Sequence, residues 1–173
     1  YAGGGVVNAG LEASNLLTEL VDLLNAPVTL TLMGLGAVSN KNKNFLGMLG
    51  MHGTYEANLA MHNCDVMLNV GARFDDRVTG RLNAFAPKSK KIHIDIDKSS
   101  INKVVHVDYG IIGDCKEVLF LLINEIKKIY NKKVIKSKSK WWKQINDWRS
   151  KNSLGFIQTG KIIKPQQAIK SLY

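Results

Sequence analysis

The sequence predicts an α/β fold built on a parallel sheet, and two observations carry that expectation. Val66-Met67-Leu68-Asn69-Val70 is a short, mostly apolar run of the kind that fills the middle of a parallel sheet, and Gly71 closes it with a residue tolerant of tight turns. Strand-like runs alternate with segments whose apolar residues recur at helical spacing, and three of the strand exits are marked by glycine. At 173 residues and 45% hydrophobic, the chain accommodates one domain with a sizeable core plus an appendage.

Tyr1-Ala2 reads as the stub of a strand and, with no initiator methionine, points to sequence removed upstream. Gly3-Gly4-Gly5 turns the chain into a helix carrying Leu11, Leu16, Leu17, Leu20, Val21 and Leu24. The turn departs from G-x-G-x-x-G because Asn8 stands where the third glycine would fall. Asn25-Ala26-Pro27 ends the helix, and Val28 to Leu32 reads as the next strand, leaving through Met33-Gly34-Leu35-Gly36. Ala37 to Gly53 reads as a long loop, apolar enough to be functional or packed under something else. Its methionines Met48 and Met51, flanked by glycines, suit an adaptable wall for a planar ring, although core packing is the default for methionine. His52 has no neighbour at metal-ligand spacing, which favours a hydrogen-bonding role.

Thr54 is placed to cap a helix that includes Ala57, Ala60 and Met61 and leads to the Val66–Val70 strand. After the Pro87 break, Lys91 to Asp97 alternates, with isoleucines on one face and His93, Asp95 and Asp97 on the other. Val107 to Ile112 reads as a last short strand, followed by a helix with Asp114 as N-cap and Glu117 three residues later. Beyond Asn131 come a lysine-rich connector, an amphipathic segment with Trp141, Trp142, Ile145 and Trp148 that should pack on something, and a helix start at Lys164-Pro165. That organisation divides the chain into a domain over 1–131, a linker over 132–164, and the first turns of a further domain over 165–173.

The net charge of +10 is confined to the tail. Residues 1–126 hold 11 Lys and Arg against 13 Asp and Glu, whereas residues 127–173 hold 13 against Asp147 alone. The tail lysines, including Lys132, Lys133, Lys136 and Lys138, are spread among serines and asparagines as in a solvated linker, so nucleic acid is not the expected partner. No apolar run reaches the length of about 18 residues needed to span a membrane. Cys64 and Cys115 sit in apolar contexts and read as reduced thiols; no metal-ligand spacing is visible.

The densest chemistry follows the Val66–Val70 strand, in Gly71-Ala72-Arg73-Phe74-Asp75-Asp76-Arg77-Val78. Ligands of open α/β sheets sit at the carboxyl ends of strands, where an arginine fork suits phosphate and a carboxylate accepts from ribose hydroxyls. The same spacing also fits a surface loop with two local ion pairs. Asp95 lies 24 residues beyond Gly71, close to the spacing of a ribose-binding acid, and equally fits a strand end capped by acids that face water.

Four motifs in order carry a more specific signal: Leu32-Met33-Gly34-Leu35-Gly36, Leu46 to Thr54 with its Gly-Met-His-Gly core, Gly71 to Gly80, and His93-Ile94-Asp95-Ile96-Asp97. Together they resemble the central domain of the catalytic subunit in the acetohydroxyacid synthase (acetolactate synthase) family, nearly throughout the chain up to Asn131. The resemblance implies a six-stranded parallel sheet flanked by helices that binds FAD without net redox chemistry. Its parent would decarboxylate pyruvate on thiamine diphosphate with Mg2+ and join the product to pyruvate or 2-oxobutanoate. By resemblance the FAD contacts fall on Gly4, Thr31, Leu32, Met33, Leu49, Gly50, Met51, His52, Gly71, Ala72, Arg73, Asp75, Arg77, Val78, Asp95, Ile96, Asp114 and Cys115. Met51, Asp76 and Arg77 would also line a substrate channel and inhibitor site. The thiamine-activating glutamate and the Gly-Asp-Gly…Asn motif for magnesium are absent, so no catalytic or metal-binding residue is expected here, and Gly113-Asp114-Cys115 echoes that motif only superficially. The resemblance further implies partner domains at both ends of the chain, a homodimer or homotetramer, a regulatory subunit, and a bacterial cytoplasm or a plastid. The rival readings are another thiamine-dependent carboligase or decarboxylase and a freestanding nucleotide-binding module.

Overall fold

The computed structural model describes residues 1–130 and 138–172. Lys132, Lys133 and Lys136, read above as part of a solvated linker, lie outside the described residues. Among the described residues five strands form: β1 (Val28–Leu30), β2 (Phe45–Met48), β3 (Val66–Val70), β4 (Lys90–Asp95) and β5 (Tyr109–Ile112). All pair in parallel, as a two-stranded ladder β1-β2 and a three-stranded ladder β3-β4-β5. Ala2 makes parallel bridges to both Leu30 and Val70, donating its N–H to the Thr29 carbonyl and accepting from the Thr31 N–H. In place of the expected six strands there are thus two ladders joined through a single residue, because Gly3 already turns the chain into a short helix, α1 (Gly4–Asn8).

Helices cover both faces of this sheet. On one face, α2 (Leu11–Leu24) and α5 (Cys115–Tyr130) bury Leu17, Leu20, Leu119 and Ile123 against Val28, Leu30, Val70 and Ile94. On the other, α3 (Tyr55–Asn63) and α6 (Ser139–Arg149) bury Ala57, Met61 and Ile145 with Leu46, Met67 and Phe74. The capping signals act as expected. Thr54 Oγ1 accepts from the Ala57 N–H at 3.2 Å, and Asp114 Oδ1 accepts from the Lys116 N–H at 2.8 Å at the start of α5. A final helix, α7 (Pro165–Leu172), starts at Pro165 as its sequence predicts.

Two elements differ from expectation for identifiable reasons. β1 stops at Leu30 because Thr31 Oγ1 accepts from the Gly34 N–H at 3.1 Å and winds Leu32–Gly34 into a 3₁₀ turn. The segment expected to be one loop from Ala37 to Gly53 contains β2, whose pairing with β1 is irregular in register. Gly47 sits inside β2 at φ 93°, and a Cβ there would lie 2.7 Å from Thr54 Cγ2. An interior glycine in a backbone state closed to other residues hides a strand from pattern reading.

The tryptophan segment docks as its composition demands. Trp141 and Trp148 stack edge-to-face at 5.6 Å beside fully buried Ile145. Trp142 Nε1 donates to the Asn25 carbonyl at 3.0 Å, and Arg149 donates to the Phe45 carbonyl at 2.6 Å. Ile145→Ala is expected to cost about 2–5 kcal/mol through the cavity it leaves. The denaturant midpoint should fall, and tryptophan emission should shift to the red as α6 loosens.

A cavity of roughly 800 Å³ lies between α2, α3 and α6 at the amino ends of β1 and β3, lined by Leu17, Leu20, Val28, Met61, Met67 and Trp141 among others. It is on the opposite side of the sheet from the strand exits.

Candidate functional site

Because every strand pair is parallel, the exits from Ala2 and from β1 to β5 all lie along one edge, and backbone contacts lock neighbouring exits together. The Gly5 N–H donates to the Gly71 carbonyl, Gly71 N–H to Ile94, and Gly113 N–H to Asp95, at 3.0, 2.8 and 3.1 Å. Gly71 has φ 60°, and a Cβ there would lie 2.8 Å from Gly5 Cα and 2.9 Å from Cys115 Sγ. The first and third glycine corners are therefore in direct van der Waals contact, and only glycine allows it.

The β3 exit is built around Phe74, a buried non-glycine residue at φ 55°. Its ring packs on Tyr1, Phe85 and His93, with centroids 5.6, 5.9 and 5.1 Å away. A bulky residue in the left-handed region persists only where surrounding packing holds it there. By sinking Phe74, the turn sends its charged neighbours outward. Arg73 pairs with Asp75 Oδ2 at 3.0 Å and Arg77 with Asp76 at 3.6 Å, so both local ion pairs are present, on side chains 72–84% exposed except for Asp75 at 38%. Asp75 also caps a one-turn helix, α4 (Asp76–Thr79), through the Arg77 N–H, and that backbone hydrogen bond is the main reason its carboxyl titrates below the usual range.

The β2 exit is held against α4. The Met51 N–H donates to the Arg77 carbonyl at 2.8 Å, and Gly50, at φ 95°, has no room for a Cβ beside that carbonyl. Asn58 on α3 clamps the same corner, accepting from the Gly50 N–H at 2.8 Å and donating to its carbonyl at 3.0 Å. Asn58 was not anticipated, since nothing local marks a helical asparagine as the partner of a loop eight residues earlier.

Placed on this edge, the residues expected to contact a cofactor fall into three groups. Leu32, Met33, Met51 and Ile96 are 68–76% exposed, an uncovered apolar set at the exits of β1, β2 and β4. Arg73, Asp75, Asp76, Arg77 and His52 offer polar groups to solvent, and His52 makes no hydrogen bond within the described residues. Gly4, Thr31, Leu49, Gly50, Gly71, Ala72, Val78, Asp114 and Cys115 form the floor, partly or fully buried. Gly4 abuts Met33, and the Cys115 thiol is buried against Gly71, where burial pushes its pKa up to about 11. Cys64 and Cys115 are both free thiols.

Asp95 is buried at 8% exposed, so the reading of a strand end whose acids face water holds for Asp97 but not for Asp95. β4 lies between β3 and β5 with layers on both sides, and His93, two residues before Asp95, is completely buried. Burial pulls the imidazole below its ordinary pKa of 6.5, against the opposing influence of Asp95. Folded protein therefore resists protonation that the unfolded chain accepts, so the stability linked to His93 is present above pH 6.5 and lost as pH falls through the folded-state value. Denaturant midpoints between pH 7.5 and pH 5 should fall less steeply in His93→Gln than in the native protein.

Among the described residues no cluster of histidine, cysteine or acidic groups could hold a metal ion, and no helix is long and apolar enough to cross a membrane. Parallel strands with glycine-tightened exits and helices on both faces define an α/β domain. Residues 1–122 match the family model described as thiamine pyrophosphate enzyme, central domain, and the chain belongs to that family. Over its whole length it is 47% identical to the acetolactate synthase large subunit of Haemophilus influenzae and 43% identical to acetolactate synthase isozyme 3 large subunit of Escherichia coli. Over 99% of its length it is 40% identical to the acetolactate synthase large subunit of Cyanidium caldarium. It is thus a central domain of the kind found in these large subunits, and it spans 29–30% of the length of these relatives.

Proposed function

We propose that this chain is the FAD-holding central domain of an acetolactate synthase large subunit. The observation that carries the reading is the coincidence, on one sheet edge, of outward Arg73 and Arg77, acids at two strand exits, and the uncovered apolar set Leu32, Met33, Met51 and Ile96. These residue types fit a flavin dinucleotide. Arginine forks suit its diphosphate, Asp75 and Asp95 suit ribityl or ribose hydroxyls, and the exposed methionines suit its ring system. The tight glycine corners let backbone approach the ligand closely. Asp114 and Cys115 contribute through the start of α5, and Val78 and Leu49 through the floor. When bound, the flavin acts structurally and supplies no net redox chemistry.

The whole enzyme decarboxylates pyruvate on thiamine diphosphate with Mg2+ and condenses the product with pyruvate or 2-oxobutanoate, in the synthesis of branched-chain amino acids. Met51, Asp76 and Arg77, at the outer rim, line its substrate channel. The groups that hold thiamine and magnesium belong to other domains of the same polypeptide, with subunits paired as a dimer or tetramer, alongside a regulatory subunit, in a bacterial cytoplasm or a plastid. The place of a sixth strand is at Ala2, which bridges both β1 and β3.

Two assays test this. Heat-denatured full-length protein should release FAD, whereas the 173-residue chain alone should form no acetolactate from pyruvate. Thiamine-dependent turnover by the isolated chain would contradict the assignment of the chemistry to other domains.

A further inference from the structure

Beneath the proposed flavin corner lies a set of buried polar groups that the reading above leaves unused. Asn69 on β3 stands directly opposite His93 on β4, and both are fully buried. Asn69 Nδ2 donates to the Ala72 carbonyl at 2.5 Å, while its Oδ1 and both ring nitrogens of His93 lack a partner at full hydrogen-bond geometry. Within reach of the imidazole are two acceptors: Asp95 Oδ2, 3.5 Å from Nε2, and the Ala72 carbonyl. Ala72 belongs to the β3 exit, one residue before Arg73, and Asp95 ends β4. Phe74 caps the ring edge-on at 5.1 Å and leaves it no exposed surface.

A fully buried imidazole with no satisfied nitrogen is costly and demands a reason. We propose that His93 is a positioning residue: packed beside the Ala72 carbonyl of the β3 exit, its ring holds the Asp95 carboxylate and fixes the plane in which Asp95 meets a ligand hydroxyl. The neutral ring has one N–H for two acceptors, and a carboxylate is the stronger acceptor, so the proton sits on Nε2 toward Asp95 Oδ2. Asp95 Oδ1 already accepts from the Asp97 N–H at 2.9 Å. The carboxylate is then held at both oxygens, and Asp95 keeps 8% of its surface exposed. This inference rests on the reading of Asp95 as a contact to a hydroxyl of the flavin nucleotide.

The test uses the full-length protein and three variants: His93→Leu, His93→Gln and Asp95→Asn. FAD affinity is measured by flavin fluorescence titration of apoprotein, and apoprotein melting is followed in parallel. His93→Leu should weaken FAD about tenfold or more, the loss expected for a hydrogen bond to a charged group. Its apoprotein should still melt cooperatively, the lost bond to Asp95 being offset in part by removal of the unpaired Nδ1 from the core. His93→Gln keeps an N–H donor and should restore most of the affinity. Equal losses in the two His93 variants, or native affinity in His93→Leu, would overturn the proposal. If Asp95→Asn leaves FAD affinity unchanged, or if the native protein takes up no FAD, the reading of Asp95 fails instead. The nitrogen-15 spectrum of His93 in apoprotein then decides the geometry without any ligand: the Nε2–H tautomer is expected, and the Nδ1–H tautomer would refute the tie to Asp95.

Discussion

Phe74→Ala is expected to lower stability by about 3–5 kcal/mol, the range for truncating a fully buried phenylalanine. Phe74 is 1% exposed and touches the rings of Tyr1, Phe85 and His93, which come from three separate segments of the chain. Alanine would also have to hold φ 55° without the packing that now imposes it. The turn should relax, and Arg73 and Asp75 should lose their fixed outward placement. Equilibrium urea denaturation gives the first effect as a lower midpoint. The second should appear as flavin loss from the full-length protein larger than that caused by Ile145→Ala, which truncates a side chain on α6 rather than one in the β3 exit turn.

Gly71→Val is expected to be comparably severe, for a different reason. The added Cβ would meet Gly5 Cα at 2.8 Å, Cys115 Sγ at 2.9 Å and Val6 N at 3.0 Å, so two backbone atoms and a buried thiol stand in its way. Overpacking costs about 1–3 kcal/mol. Forcing an L side chain into the left-handed region adds about 1–2 kcal/mol. Separation of the first and third strand exits should follow, detected as faster proteolysis near Gly3–Gly5 and a lower denaturant midpoint. At Gly10, φ is 93° but a Cβ would meet nothing within 4 Å, so Gly10→Ala should cost only the backbone strain.

The parts of this fold that were legible in the sequence are those specified locally. The leucines of α2, the apolar run of β3, the caps at Thr54 and Asp114, and the tryptophan spacing of α6 each carry their own signal. β2 was hidden because its middle residue is Gly47 in a left-handed state, and β1 was over-extended because Thr31 caps the turn that ends it. The alternation in β4 left open whether its polar residues meet water. For Asp95 it misleads, because β4 is flanked by two strands and covered on both faces. The same division holds for the candidate site. Arg73, Asp75 and Arg77 announce themselves by residue type, whereas Phe74, Asn58 and His93 act through contacts with distant segments, and no local pattern encodes their left-handed backbone, clamp or burial.

The proposed role of this sheet edge is to hold a flavin dinucleotide. Full-length protein, purified without added cofactor and reconstituted with excess FAD, should retain close to one FAD per chain after gel filtration, released on heating and quantified by fluorescence. Arg73→Ala should lower that occupancy while leaving the melting temperature of apoprotein nearly unchanged, since an exposed ion pair contributes little to stability. Protein that stays colourless after reconstitution, or occupancy indifferent to Arg73→Ala, would contradict the account.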